Sequence, residues 1–510
     1  MTYVLMTGGT GLLGEYLLRD LAVRDQPLVL IARASREGTA LQRVEQLYHR
    51  WELAEGRALP RPVVLDGDLT KRDLGVTATD RRWLAQNCDR WLHNAASLTF
   101  EPQRPDGEPW VSNLGGTERS IELCRRLGIR SIHHVSTAYV AGLRQGTIRE
   151  QETDVGQEFA NEYEASKCAS ELAWRSAGFD QVTVYRPAII VGDSVTGYTS
   201  TYHGFYAPLK SLHALLGSWL KRTIDQGAAN DPRLSIDGLL SVLGLVGQET
   251  KNFVPVEWVS QAIVQILSSP AYHGLTYHLT PRNKVTARQV AEAMQASLVD
   301  SFRRGRDGGR AVERGADRAV EPPPALAVSR TFAEQVSVYR EYWRDDPDFD
   351  TSNLQAALPH LPCPLLDQNV LKTLCDYAIA QGFGWPKKPW ANLPAAVATE
   401  LTGQGWVCEA EEVQPAVAVN LVGAGGARLV LGRRRDGSLG FSLGRDAAMY
   451  EWTMPASQWR AAGSFASVIQ QGWASLSTPT DHTPAKLQLA MEFISSAEIN
   501  HDSLRTELVK

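Results

Sequence analysis

The sequence is poor in the features that mark several large protein classes. Six cysteines (Cys88, Cys124, Cys168, Cys363, Cys375 and Cys408) are scattered over 510 residues, with no CxxC pair and no histidine-rich spacing around them. That scatter argues against a zinc site and a disulfide framework, so reduced thiols and no metal are expected. No apolar run reaches the ~18 residues that a membrane helix requires; the longest are broken by Gly, Gln or charge. The chain opens MTYVLMTGG, without the basic flank and apolar stretch of a secretory signal. A cytoplasmic protein with no transmembrane segment is therefore expected. The net charge of −5 is small for this length and gives no reason to expect nucleic acid as a partner.

What is present is ordinary in bulk. Hydrophobic residues are 43% and charged residues 21% of the chain, as in a globular protein, and the length predicts two or three domains. The information lies in local order. Residues 2–7, TYVLMT, read as a short buried strand; GGTGLLG follows; EYLLRDLAVRD then shows leucines at helical spacing. Strand, glycine turn and helix is the context in which a Gly-rich motif binds a dinucleotide. The spacing is GxxGxxG, with Gly8 for the tight turn, Gly11 for close approach of a pyrophosphate and Gly14 for close packing of the helix. The N–H groups of Leu12, Leu13 and Gly14 open the helix and face the phosphates, and Thr7 ends the strand.

The second strand, PLVLIARAS, ends in Arg33, with Arg36 close behind and Arg43 further on. A site selecting NAD usually carries Asp or Glu there, whereas an arginine suits the 2′-phosphate of NADP. The alternative for Arg33 is a solvated charge at a strand end. VVLDGDLT (63–70) sets Asp68 and Leu69 at the adenine edge; RWLHNAA (90–96) sets Asn94, Ala95 and Ala96 where ribose and nicotinamide lie. SIHHVSTAYVAG (131–142) and VTVYRPAIIVG (182–192) are further strands, separated by helical stretches such as 113–128. Strand and helix alternating in this way predict an α/β, Rossmann-type, doubly wound parallel sheet, with ligands at the carboxyl ends of its strands.

NEYEASK (161–167) places Tyr163 four residues before Lys167, on one face of a helix. Such a pair is commonly solvated surface. Here it follows Ser136 and Thr137, hydroxyls at a strand end. Hydride addition to a carbonyl puts negative charge on oxygen, which calls for a proton donor and hydrogen-bond donors. A phenol has an unperturbed pKa of about 10, and a nearby ammonium is expected to lower it. Catalytic Tyr163, Lys167, Thr137 and Ser136 follow, with Lys167 also holding the cofactor ribose.

The set TGGTGLLG, DGDLT, HNAA, VSTAYVAG, YEASK and YRPAIIVG, in that order, resembles the extended short-chain dehydrogenases/reductases over about the first 280 residues. HNAASLTF, NLGGT, HVSTAYVAG and YEASKCASELA are similar to the branch of fatty acyl-CoA reductases and thioester reductase domains. The resemblance implies NADPH as cofactor and reduction of an acyl thioester, carried on coenzyme A or a carrier protein, to an aldehyde and sometimes onward to an alcohol. It implies Thr137 ahead of Ser136 as the hydroxyl, Tyr163 as the acid and Lys167 as its tuner, with Pro187 near the carboxamide. Asn113 fits an asparagine that braces the lysine, or else caps the following helix. Glu171 fits the branch pattern, and a structural salt bridge explains it equally well. Residues 252–267 would wall the substrate pocket. Tyr202, His203, Phe205 and Tyr206 would line it or pack in the core. Two other readings stay open: an NADP-dependent reductase or dehydrogenase of a free ketone or alcohol, of sugar-nucleotide or steroid type, and a non-catalytic protein that binds cofactor and a lipid or partner.

Beyond this region the pattern changes. Residues 1–300 are expected to form the reductase core with segments of a substrate lobe, and 301–328, rich in Arg, Gly and Pro, a mobile linker or insertion. Residues 329–390 would complete the lobe with helices. Residues 395–510 would form a small α+β domain, with strands at AVAVNLVG, ARLVLGRR and LGFSLG, an Asp-Gly turn at 436–437 and later helices. That domain resembles a sterol-carrier-like fold, which implies an apolar ligand; the alternative is a unit that only stabilises or dimerises the reductase.

Overall fold

Strands that are apolar on both faces need cover on both faces. Val4, Leu5 and Met6, and the run Leu28–Ala32, are buried in this way. In the computed structural model the described residues are 2–35, 39–100, 107–214, 236–237, 240, 245–307 and 344–384, with strand segments between 407 and 477. The chain divides into two compact units, one of Met1–Arg33 and Pro62–Pro386, the other of Ala34–Arg61 and Lys387–Lys510.

The first unit is built on seven strands: β1 (Tyr3–Thr7), β2 (Leu28–Ala32), β3 (Val63–Asp66), β4 (Cys88–His93), β5 (Ser131–Val135), β7 (Gln181–Pro187) and β11 (Thr276–Leu279). Their order is β11-β7-β5-β4-β1-β2-β3, and every neighbouring pair is parallel. The order reverses direction between β1 and β4, the switch point at which such sheets bind ligands. Short ladders pair β6 (Thr147–Ile148) with β13 (Asp348–Phe349), β8 (Ile189–Val191) with β10 (Phe253–Pro255), and β9 (Thr250–Lys251) with β12 (Val285–Thr286).

The helices of this unit include α1 (Leu12–Val23), α3 (Ala78–Asn87), α4 (Trp110–Leu127), α5 (Glu162–Ser176), α6 (Val256–Leu267), α7 (Ala287–Asp307), α8 (Ser352–Ala357) and α9 (Gln368–Ala380). The α6 helix packs against α1, and Ser260 Oγ donates to Asp20 Oδ2 at 2.7 Å. The α7 helix runs to Asp307, into the segment read from sequence as a linker; residues 308–343 lie outside the described residues. A second apolar cluster joins Phe205, Tyr206, Leu209 and Phe253 to Met294 and Leu298 of α7 and to Leu371 and Leu374 of α9.

In the second unit, α2 (Ala40–Glu55) starts with a capping box: Thr39 Oγ1 accepts from the Gln42 N–H and Gln42 Oε1 accepts from the Thr39 N–H. Arg61 pairs with Glu45 at 3.0 Å and Glu52 at 2.5 Å. Six strands, β14 (Val407–Cys408), β15 (Gln414–Val422), β16 (Arg428–Arg433), β17 (Leu439–Ser442), β18 (Tyr450–Pro455) and β19 (Ser475–Ser477), form a mixed sheet in the order β14-β17-β16-β15-β18-β19. The strands read at AVAVNLVG, ARLVLGRR and LGFSLG fall in β15, β16 and β17, and β16 pairs antiparallel with β17 across 434–438. The helices read from sequence at 464–476 and 483–497 lie outside the described residues, except that Ser475 and Leu476 belong to β19.

Candidate active site

The carboxyl end of β1 opens into the glycine turn. Gly8 has φ +77°, a conformation open to glycine, and a Cβ there would lie 2.5 Å from Ala95 N. A Cβ on Gly14 would lie 1.9 Å from Gly8 O, so the helix packs on its own turn rather than on the strand. Gly11 differs: its Cβ would meet nothing closer than Gly8 O at 3.9 Å. The protein's own packing does not require glycine at that point, which leaves an open cradle beside the α1 N-terminus. Gly11 is the N-cap of α1 and offers no side-chain cap, so the first-turn N–H groups of Leu12, Leu13 and Gly14 have no side-chain partner there. Asn94 Nδ2 donates to Gly8 O at 3.0 Å and braces the turn from β4.

The neighbouring strand ends complete this rim. Arg33 is exposed just past β2 and lies within electrostatic reach of Asp68. Partial burial raises the Asp68 carboxyl, but hydrogen bonds from Thr70 and the Arg33 and Lys71 cations outweigh it and hold it below the usual range. The Leu69 carbonyl accepts from Arg119 at 3.0 Å, and a Cβ on Gly116 of α4 would meet the Leu69 side chain at 3.0 Å. Ala95 and Ala96 follow Asn94 on the same rim. Thr7 points inward and shares a hydrogen bond with His93 Nδ1 at 3.1 Å. Arg36 lies outside the described residues, and Arg43 belongs to α2 in the second unit.

The α5 helix starts at an Asn161 cap that accepts from the Glu164 N–H at 3.0 Å. Tyr163 stands in its first turn, with Lys167 one turn on. Both reach the carboxyl end of β5. The Thr137 side chain lies within electrostatic reach of the Tyr163 phenol, and Lys167 Nζ donates to Val135 O at 2.7 Å. Thr137 Oγ1 also accepts from the Tyr139 N–H at 3.3 Å and lies 3.5 Å from Pro187 O at the end of β7. Ser136 Oγ is buried and has no hydrogen-bond partner among the described residues. A buried hydroxyl without a partner is costly, and a substrate oxygen or cofactor group at this strand end would satisfy it.

Burial pushes the Lys167 ammonium down to about 8, partly opposed by Glu171. Burial and then Glu164 push the Tyr163 phenol up, against a lowering by the Thr137 side chain. The Lys167 cation does not enter this balance. The lysine cation is aimed at a backbone carbonyl while Glu164 adjoins Tyr163, so the phenol holds its proton. Phe100 packs edge-on against the Tyr163 ring at 5.9 Å.

Asn113 does not cap α4. It sits inside α4, where Pro109 is the N-cap, and its amide donates to Ser97 O at 3.1 Å and Ser166 Oγ at 2.9 Å while its oxygen accepts from the Ser97 N–H. It ties the loop after β4 to α5 between Tyr163 and Lys167. Glu171 is a structural ion-pair partner: Arg186 of β7 grips both its oxygens, at 3.0 and 2.6 Å, and Arg175 adds 2.8 Å. Burial raises its carboxyl, and the two guanidiniums override this to leave it at about 2. Phe205 and Tyr206 are core residues, Tyr206 accepting from the Gly192 N–H at 2.9 Å; Tyr202 packs edge-on against Phe383, and His203 is exposed. Residues 253–267 form β10 and α6, and α6 packs against α1.

A family model described as "Male sterility protein", of an NAD-binding domain, matches residues 6–263, just over half of the chain. The chain is similar to the non-canonical nonribosomal peptide synthetase FrzA of Cladobotryum sp, at 26% identity over 74% of this chain and 36% of the relative. It is similar to the fatty acyl-CoA reductase wat of Drosophila melanogaster, at 23% identity over 39% of this chain and 46% of the relative. The chain thus covers about a third to a half of these relatives' own lengths. Among solved structures it resembles the terminal R domain from the myxalamid PKS-NRPS biosynthetic pathway, with a TM-score of 0.54 and 25% identity over 75% of this chain and 92% of that one. No helix among the described residues is long and apolar enough to cross a membrane.

Proposed function

This chain belongs to the Male sterility protein family of extended short-chain dehydrogenase/reductase oxidoreductases, and we propose that it uses NADPH to reduce an acyl thioester to an aldehyde. The observation that carries the reading is the cluster at the end of β5: the Tyr163 phenol within electrostatic reach of Thr137, Lys167 Nζ at Val135 O, and the unpartnered Ser136 Oγ. The cofactor, when bound, supplies a hydride. The glycine turn and the free N–H groups of α1 would hold its pyrophosphate. Arg33 would pair with its 2′-phosphate, which favours NADPH over NADH.

At the reacting carbonyl, Thr137 and Ser136 would donate hydrogen bonds to the oxygen and Tyr163 would give it a proton. The raised pKa of the phenol keeps that proton available at neutral pH. Lys167, with its pKa near 8, would keep a positive charge below the site and hold the ribose. Collapse of the resulting hemithioacetal breaks the C–S bond, releases the thiol and leaves the aldehyde. The similarity to an R domain of a PKS-NRPS pathway supports a carrier-protein thioester as the substrate, with coenzyme A thioesters as the alternative donors. Mixing the purified protein with NADPH and thioesters of both kinds tests this. Loss of nicotinamide absorbance with an aldehyde or alcohol product is expected, and no consumption with any thioester contradicts the reading.

A further inference from the structure

We infer that Tyr139 and Asp346 are positioning residues that set the orientation of the Thr137 hydroxyl. The inference rests on the proposed reductase reading and adds two residues to its machinery. Directly after Thr137 the chain makes a buried 3₁₀ turn, Ala138–Ala141, in which the Tyr139 N–H donates to Thr137 Oγ1 at 3.3 Å. That bond occupies one lone pair of the hydroxyl and so helps fix its rotor. The other end of Tyr139 is tied down far away in sequence: its phenol donates to Asp346 Oδ2 at 2.8 Å.

Asp346 is itself held on several sides. Oδ2 also accepts the Asn252 N–H at 2.8 Å, Oδ1 faces the Lys251 ammonium at 3.2 Å, and the Asp346 carbonyl accepts from Lys284 Nζ at 2.7 Å. Two residues earlier, Arg344 donates to the carbonyls of Gly142 and Leu143 at 3.3 and 3.5 Å. Phe349 closes on the Tyr139 ring at 6.3 Å. The loop has little room to relax, since Gly142 has φ +62° and a Cβ there would lie 2.1 Å from Glu158 O. The strap 344–350 thus grips the reactive turn. A catalytic donor displaced by a fraction of an ångström loses much of its effect, so the grip bears on turnover rather than on binding.

Tyr139→Phe tests this, because it removes one oxygen and leaves Asp346 its Asn252 and Lys251 partners. Turnover should fall about tenfold, roughly 1.4 kcal/mol, the scale of one hydrogen bond to a charged group. The NADPH dissociation constant and the thioester KM should stay where they are, while the thermal midpoint drops only by what one lost buried hydrogen bond costs. In a Thr137→Ala background, followed by single-turnover product formation, Tyr139→Phe should cost less than twofold more, because it acts through the hydroxyl already removed. Asp346→Asn, which keeps an acceptor oxygen, should fall between wild type and Tyr139→Phe. Unchanged turnover in Tyr139→Phe, losses that multiply in the double variant, or an equal loss of NADPH affinity would overturn the inference. Tyr163→Phe, measured alongside, separates the two levels. If it keeps full turnover the reductase mechanism fails, whereas if it is inactive and Tyr139→Phe is normal, only the positioning role fails.

Discussion

Replacing Glu171 with glutamine should cost the fold heavily, although the two side chains are nearly isosteric. Glu171 and Arg186 are both fully buried, and the carboxylate takes two hydrogen bonds from Arg186, two from Arg175 and one from Thr153. The amide keeps one acceptor oxygen but turns an NH₂ group toward guanidinium donors and leaves Arg186 charged and unpaired. Breaking a buried pair from one side costs about 3–5 kcal/mol. The lower end applies here, because Arg186 keeps Thr153 and the Glu150 carbonyl, and Arg175 is 32% exposed and can turn to water. Urea denaturation of wild type and variant at neutral pH measures the difference. The acid limb gives an independent reading. The carboxyl is depressed from 4.5 to about 2 in the folded state, so its contribution is complete above about 4.5 and disappears as pH falls through about 2; the variant should lack this dependence. Glu171→Leu with Arg186→Met should lose less than Glu171→Gln alone, because no buried charge is stranded. A loss below about 1 kcal/mol for Glu171→Gln would refute the idea that this pair anchors α5 to β7.

Three further outcomes follow from the site. Gly14→Ala would set a methyl 1.9 Å from Gly8 O and 2.8 Å from Gly9 Cα, both backbone atoms, so the turn must shift; fluorescence titration should show NADPH binding weakened by at least about tenfold, and an unchanged affinity counts against the turn as the pyrophosphate site. Arg33→Asp should lower the preference for NADPH over NADH by about tenfold or more, read from binding constants for both, since a charge-assisted bond becomes a repulsion. The rate should fall as pH rises through about 8, where buried Lys167 loses its proton; a rate that holds to about pH 10, the range of an unperturbed lysine, would remove the ammonium from the mechanism.

Much of the sheet was legible because its signals are local. Each strand end carries its motif within a few residues of the apolar run that buries the strand, and the i, i+4 spacing alone puts Tyr163 and Lys167 on one face of α5. What was not legible depends on which elements become neighbours. Asn113 meets Ser166 only because α4 and α5 lie side by side. Tyr139 meets Asp346 across 207 positions of sequence. The ion pair of Glu171 needs β7 beneath α5, so the residue could be named without its partner Arg186. The phenol's raised pKa likewise depends first on burial, which spacing does not determine. Nor does any local pattern signal that Ala34–Arg61, lying between β2 and β3 in sequence, groups with the last part of the chain.

The most direct measurement follows the hydride itself. NADPH carrying deuterium at the transferable position of C4 is incubated with a thioester substrate, and the product is analysed by mass spectrometry for wild type and Tyr163→Phe. The account predicts an aldehyde, or the alcohol derived from it, with deuterium on the former thioester carbon in the wild type, and almost no product from a variant that still binds NADPH. An unlabelled product, or a Tyr163→Phe protein that labels its product at the wild-type rate, would contradict it.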